Sequence, residues 1–221
     1  MVRPMIRTEV LGAVHVVTMD AGENRFNLPF ATELVEAIER AAGEAGALVL
    51  TGVGRFFSNG LDLEWLGAAG AEGAAATMDR IHDALAALLT FPGATVAAVN
   101  GHAFGAGAIL AAAADLRIMR SDRGYLCFPE VDLGLPMSDQ FDAVLQDAFD
   151  PRTLRRALLS GNRYDGPAAL EAGLVDGTGD EAGLLPAALA RAEGLAGKDG
   201  RTVAVLRAPL VRRSLAVLRP G

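Results

Sequence analysis

The sequence predicts an α/β fold in which helices cover a core of strands. Strand-like and helix-like segments alternate through the first two thirds of the chain, and nearly everything from Ser138 onward reads helical. No stretch biased to Ser, Pro or charge divides the two parts, and 221 residues suffice for one sizeable core.

Element by element, the alternation in Ala13 to Met19 predicts an early strand. In "FNLPFATELVEAIERAAG" the apolar positions Leu34, Val35, Ile38 and Ala42 follow the period of an amphipathic helix. "ALVLTG" reads as a strand buried on both faces. The loop "GRFFSNG" leads to a short helix from about Asp62, and a longer helix runs from Ala74 to Leu89, stopping before Pro92. "TVAAVN" is the next strand, 106–114 a helix, and "LRIM" and "YLCF" are short strands on either side of the turn "RSDRG". Helices are then expected at 141–149, 152–159, 168–172, 181–196 and 203–218, the last with its arginines on one solvated face. The Gly-rich stretch from Leu66 to Ala76 reads as a mobile connection.

Composition removes several function classes. The chain is 51% hydrophobic, yet no apolar run approaches the roughly 18 residues of a membrane span, and "MVRPMIRTEVLG" lacks a signal-peptide core. A cytoplasmic protein with no membrane partner is the expectation. The single cysteine, Cys127, forms no internal disulfide and reads as a small buried residue. His15, His82 and His102 lack companions at ligand spacing, so no metal is expected. A net charge of −7 with one lysine, Lys198, speaks against a nucleic-acid partner.

A weak internal repeat draws attention to backbone chemistry. "LVLTGVGRFFSNGLDLEWL" and "VAAVNGHAFGAGAILAAAA" share one order: buried strand, glycine, aromatic, a small residue, glycine, apolar helix start. Glycine removes the Cβ that would block a ligand, and a helix start leaves N–H donors free. Three readings remain open on residues alone. The glycines serve tight helix–sheet packing; or Gly105 and Gly107 begin a dinucleotide loop with Glu130 as its distal acid, against which Leu110 stands at the third glycine position; or two loops face each other as paired donors for an oxygen that gains charge.

Four ordered segments, "FFSNGLDLEWL", "AAVNGHAFGAGAILAAAADLRIMRSD", "CFPEVDLGLP" and "YDGPAALEAGLVD", resemble the signatures of the enoyl-CoA hydratase/isomerase (crotonase) family, over about Asn24 to Asp176. The resemblance implies a crotonase-like spiral of ββα units over residues 1–176. A helical C-terminal segment, 177–221, would pack on that core or on a neighbouring subunit. It further implies an acyl-CoA thioester substrate, no separate cofactor because coenzyme A belongs to the substrate, and a homotrimer or hexamer. Carried onto this chain, the two donors to the thioester oxygen are the N–H groups of Leu61 and Ala106.

The family's hydratases place glutamates at two positions; here Ile109 occupies the first and Glu130 the second. Water addition suits two carboxylates, whereas one carboxylate suits proton transfer from C2 to C4 of a 3-enoyl thioester. "SNGLDL", "GHAFGAGAIL" and "PEVDLGLPMSDQF" are most similar to the plant-type Δ3,Δ2-enoyl-CoA isomerases, with "MSDQFD" replacing the glycine-rich run of hydratases. Other acyl-CoA chemistry (hydratase, thioesterase or decarboxylase) or a non-catalytic acyl-CoA-binding subunit are the alternatives. Glu130, flanked by Phe128, Pro129 and Val131, is expected to have a raised pKa. Substrate contacts are expected from Arg25, Phe26, Asn59, Gly60, Asp62, Leu63, Gly105 and Ile109, with Asp62 equally suited to capping. His102 reads as a hydrogen-bonded structural residue, Trp65 and Met78 as core or channel wall, and 66–76 as a border of the acyl pocket.

Overall fold

The computed structural model describes residues 4–44 and 46–219. Residues 1–3, 45, 220 and 221, which include the first positions of the N-terminal segment and the last of the C-terminal one, lie outside the described residues.

A hairpin opens the chain: β1 (Ile6–Leu11) pairs antiparallel with β2 (Val14–Met19). Helix α1 (Leu28–Ala42) begins where Asn27 accepts from the Phe30 N–H at 3.0 Å, with proline in its first turn. Three strand–strand–helix units come next. The first contains β3 (Ala47–Gly52), β4 (Phe56–Ser58), α2 (Leu63–Ala68) and α3 (Gly70–Leu89). The second contains β5 (Thr95–Val99), β6 (His102–Phe104) and α4 (Ala106–Ala112). The third contains β7 (Leu116–Arg120), β8 (Leu126–Cys127) and the short α5 (Glu130–Leu133). Each unit gives its first strand to a six-stranded sheet of order β1-β2-β3-β5-β7-β9 and its second to a parallel three-stranded sheet, β4-β6-β8. The repeat in the sequence is thus one turn of a spiral. Helices α6 (Asp139–Ala148), α7 (Pro151–Ser160) and α8 (Gly166–Glu171) precede the edge strand β9 (Gly177–Gly179). The chain then forms α9 (Leu184–Ala196), α10 (Gly200–Arg207) and α11 (Arg212–Leu218).

Both faces of the large sheet are covered, which explains its nearly continuous apolar strands. Val17, Met19, Leu48, Leu50, Ala97 and Val99 point into the main core with α1, α3 and α4. Their neighbours Val14, Val16, Val49, Val96 and Ala98 face the other way and meet Leu184, Ala188 and Ala192 of α9. Burying Leu184 alone contributes roughly 2 kcal/mol.

Three sequence expectations change. The stretch 66–76 is the end of α2 and the start of α3, with one break at Ala69–Gly70; its alanines have enough helix propensity to override the glycines. The expected last helix is two, α10 and α11, because Pro209 supplies no N–H for a continuous ladder. Within it Arg207 leaves the solvated face: it is buried, and its guanidinium donates to both Asp115 oxygens at 2.9 and 2.6 Å, to Gly93 O at 2.7 Å and to Phe91 O. The pattern of short strands hid β1, β4, β6 and β9, which are three to six residues long and in the case of β1 mostly exposed.

Candidate active site

The three-stranded sheet is parallel, so the C-terminal ends of β4, β6 and β8 lie together. These strands lead, in turn, into Asn59-Gly60-Leu61, Gly105-Ala106 and Pro129-Glu130. All of these residues line one cavity of about 260 Å³, together with Leu63, Leu133, Leu135, Met137 and Phe141.

The direction of two amides is set by peptide geometry. A trans peptide points its C=O and N–H in opposite directions. The Gly60 carbonyl accepts from the Phe26 N–H at 2.8 Å, so the Leu61 N–H of the same peptide is aimed away from Phe26. The Gly105 carbonyl accepts from the Ile109 N–H at 3.0 Å as the first bond of α4, so the Ala106 N–H projects backwards off the helix start. The loops touch: a Cβ built on Gly60 would lie 2.7 Å from Phe104 O and 3.5 Å from Ala106 N. Gly60 has φ +78° and Gly105 φ +50°, conformations that side chains with a Cβ adopt at a cost.

The glycines therefore divide their work. A Cβ on Gly107 would meet Ser58 O at 2.4 Å, and one on Gly101 would meet Arg55 O at 2.0 Å. These two let α4 and β6 pack directly on β4, the plain packing reading. Gly60 and Gly105 shape the cavity wall.

Buried polar groups hold the first loop. Asn24, fully buried, accepts from Ala21 N–H at 2.8 Å and donates to Phe57 O at 3.0 Å. Ser58 Oγ donates to Asn24 O at 2.7 Å and accepts from the Gly60 N–H at 3.2 Å. Asn100 joins the second loop to the first by accepting from the Gly52 N–H at 2.9 Å and donating to Gly54 O at 3.2 Å.

Glu130 is half-buried at the start of α5, where its Oε1 would lie 3.3 Å from a Cβ on Gly105. Its Oε2 is buried and, among the described residues, has no hydrogen-bond partner. Desolvation raises its pKa above the ordinary carboxylate range, opposed in part by its own backbone N–H. The cavity is thus lined by a carboxylate of enhanced basicity together with Leu61 and Ala106, in mostly apolar surroundings. That arrangement can polarise a carbonyl and move a proton next to it.

Of the residues expected to meet substrate, Asn59, Gly60, Leu63 and Gly105 line the cavity with Leu61, Ala106 and Glu130. Four lie elsewhere. Arg25 is exposed and tied to Glu23, its Nε 2.6 Å from the carboxylate. Phe26 is fully buried against Phe30, and acts on the cavity only through its backbone bridge to Leu61. Asp62 caps α2, accepting from the Trp65 N–H at 3.1 Å. Ile109 is fully buried in the main core, one turn along α4 from Ala106, and its side chain packs there rather than forming part of the cavity lining.

The wall expected from 66–76 is instead built by Leu133 to Met137 and Phe141. The motif "PEVDLGLPM" contains this signal, an unusually apolar stretch beside an acid. Trp65 is partly exposed and Met78 packs on the main core. His102 is held by rings rather than hydrogen bonds: Phe104, Phe56 and Tyr125 lie 5.1, 5.2 and 5.6 Å from it, centroid to centroid. Cys127 is buried, its thiol pushed up to about 11 by desolvation, a poor nucleophile.

Among known proteins, a plant protein named Enoyl-CoA delta isomerase 2, peroxisomal, from Arabidopsis thaliana is 36% identical over 97% of this chain and 95% of its own length. Enoyl-CoA delta isomerase 3 of the same plant is 36% identical over 93% and 92%. In structure, a probable enoyl-CoA hydratase of Mycobacterium tuberculosis H37Rv superimposes with a TM-score of 0.91 at 25% identity, covering 99% of this chain and 93% of its own. The model of the enoyl-CoA hydratase/isomerase family matches residues 9–218, which take in the cavity and the C-terminal helices α9, α10 and α11, and the chain belongs to that family.

Proposed function

We propose that the protein is a Δ3,Δ2-enoyl-CoA isomerase with Glu130 as its only proton carrier. The carbonyl oxygen of a 3-enoyl thioester lies between the N–H groups of Leu61 and Ala106. Glu130, ionised, takes a proton from C2; the C–H electron pair becomes part of a dienolate whose charge rests on the thioester oxygen. Each amide stabilises that charge by roughly 3 kcal/mol. The protonated Glu130 then delivers its proton to C4, the electrons return, and the product carries its double bond between C2 and C3. Neither water nor a cofactor is consumed. Asn59 and Leu63 border the pantetheine side, and Leu133 to Phe141 receive the acyl chain.

The observation that carries this reading is the lone half-buried carboxylate with an unpartnered oxygen at the wall between the two loops. A hydration site has work for a second carboxylate, and at the helix position where one is expected Ile109 contributes hydrocarbon to the core. The names of the Arabidopsis relatives agree with isomerisation.

We further take 1–176 as the unit that carries the chemistry and 177–221 as a segment that completes it and meets neighbouring subunits in a trimer or a pair of trimers. Leu206 and Leu210, 65% and 69% exposed around the end of α10, suit such burial. Among the described residues no helix is long and apolar enough to cross a membrane. Two Arabidopsis relatives are named peroxisomal, so the cytoplasmic expectation draws no support from them.

The test is direct. Purified protein with 3-hexenoyl-CoA should generate the absorbance of the conjugated 2-enoyl product, and Glu130→Gln should abolish it. Mass spectrometry showing a hydrated, hydrolysed or decarboxylated product instead, or undiminished turnover by the variant, refutes the assignment.

A further inference from the structure

The strands that end at the cavity begin, at their opposite ends, in a second concave site. Arg55 precedes β4, His102 opens β6, and Arg123 to Tyr125 precede β8. Together these residues line a cavity of about 420 Å³. We infer that this pocket is a second ligand site, separate from the catalytic cavity, which binds a phosphate-class oxyanion through the guanidinium groups of Arg55 and Arg123 and the imidazole of His102.

Three features support the assignment. First, among the described residues neither Arg55 nor Arg123 is held in a direct ion pair, although Glu23 acts on Arg55 and Asp122 on Arg123 from a distance. Arg55 lies over the Phe56 ring, 5.6 Å from its centroid, and Arg123 donates to a neutral acceptor, Gly54 O, at 2.9 Å. The acids at the rim are committed: Asp122 to Arg120 at 2.8 and 2.5 Å, and Asp165 to the N–H of Ala168 at 2.9 Å. Arg163, over the Phe104 ring at 5.6 Å, adds a third cation nearby.

Second, the histidine has a fixed orientation. Its Nδ1 is buried with no partner among the described residues. A buried N–H without an acceptor is costly, so the favoured tautomer carries its proton on Nε2, the nitrogen not shut in by the rings. Even as a neutral ring, His102 then offers the pocket a donor. Desolvation first, and then the charges of Arg55, Arg163 and Arg123, depress its pKa; an anion between the arginines would offset the charge part of that effect.

Third, guanidinium groups suit the ligand. Arginine presents a planar fork that matches the oxygens of a tetrahedral anion, and two of them converge with a histidine donor on one space. The inference is independent of the isomerase reading.

The experiment tracks the imidazole signals of the intact protein by NMR, across a pH titration, with inorganic phosphate as probe and sodium chloride at matched ionic strength as control. His102→Gln identifies the His102 signal. Phosphate should shift that signal saturably and raise its titration midpoint, while chloride should not. Arg55→Gln/Arg123→Gln, shown folded by circular dichroism, should weaken the effect about tenfold or more, and Arg55→Lys, which keeps charge but not the fork, should weaken it less. Glu130→Gln should leave it intact. Saturating coenzyme A separates two sources of the anion: a phosphate response that persists identifies a free phosphate compound, and one that is lost identifies a phosphate of the substrate's own nucleotide. A His102 signal that answers phosphate no more than chloride, or equally in the double arginine variant, overturns the site. So does a double variant whose sedimentation changes while His102 remains indifferent to phosphate, since the face is then a contact between copies.

Discussion

Replacing Gly60 by alanine inserts a Cβ 2.7 Å from Phe104 O at a residue with φ +78°. The backbone conformation costs an alanine about 1–2 kcal/mol. Carbon and oxygen settle at about 3.3 Å or more, so the two loops must part by roughly 0.6 Å. Neither side yields easily: Gly60 is held through its carbonyl by Phe26, and Gly105 through its N–H by Cys127 O at 3.0 Å. Overpacking of this kind adds about 1–3 kcal/mol, for a total near 3 kcal/mol, which lowers Tm by about 6–12 °C in a chain of this size. The activity loss should be larger than that stability suggests. Useful donors lie about 2.7–3.1 Å from the developing oxyanion, and a parting of this size takes one of the pair out of range, a loss of about 100-fold or more in kcat. Gly12→Ala is the matched control: φ is +62°, but nothing lies within 4 Å of the added Cβ. It should cost the conformational increment alone and retain full turnover. Isomerisation of 3-hexenoyl-CoA at a temperature where circular dichroism shows all proteins folded decides the matter. If folded Gly60→Ala turns over within threefold of wild type, the facing-loop account of the donors is wrong.

Glu130 couples activity and stability with opposite signs. As a base it must be ionised, so kcat/KM should fall as pH drops through its folded pKa, which desolvation holds above the ordinary carboxylate value. Because the native state holds that proton more tightly than the unfolded chain, stability declines as pH rises from the unfolded value through the folded one. Glu130→Gln should therefore be inactive yet melt higher than wild type at neutral pH, with the gap closing in acid. A variant that melts lower throughout contradicts the desolvation argument. Arg207→Met should remove the guanidinium that joins Asp115 to Phe91 O and Gly93 O. The Phe91 and Gly93 carbonyls lose their donor while Asp115, exposed, keeps its bonds from Thr95, so the cost should be about 1–3 kcal/mol, seen as a lower urea midpoint, with kcat preserved where the protein is folded. Asn24→Ala leaves the buried Phe57 carbonyl and the half-buried Ala21 N–H without their side-chain partner, and should cost about 1–3 kcal/mol with a measurable fall in kcat because β4 carries the Leu61 loop.

What the sequence made legible was whatever depends on the absence of a side chain or on a repeated order. Gly60 and Gly105 stand at equivalent places in two copies of one pattern, and the spiral places those copies side by side at the ends of β4 and β6. Glu130 was visible as an acid in apolar company, and its burial is a consequence of those neighbours. Contacts made by backbone were illegible. Phe26 matters to the cavity because its N–H and C=O bracket Leu61, accepting from the Asp62 N–H at 3.0 Å as well as donating to Gly60 O, and almost any residue could supply those two groups. The side chain, which sequence reasoning assigned to substrate, serves the core. Arg25 stands apart from the cavity lining for a different reason, since an exposed arginine two residues from Glu23 has a partner on its own loop.

The same distinction explains why the second pocket escaped notice. Arg55 and His102 stand in the two copies of the repeat, but as different residue types at the starts of β4 and β6, and Arg123 lies outside both copies. They converge because a parallel sheet gathers the beginnings of its strands as surely as their ends. A parallel sheet built from a repeated unit therefore has two rims, and the repeat that makes one rim readable through glycine leaves the other free to collect unrelated side chains. In this chain the second rim collected cations around a histidine. Anything bound there touches the starts of the three strands whose ends aim Leu61, Ala106 and Glu130. Reciprocity of coupling then gives a further expectation: if phosphate at the second rim alters the affinity for an acyl-CoA, the acyl-CoA must alter the affinity for phosphate by the same factor. Two titrations of the His102 signal, with and without saturating ligand in the catalytic cavity, measure both sides of that equality.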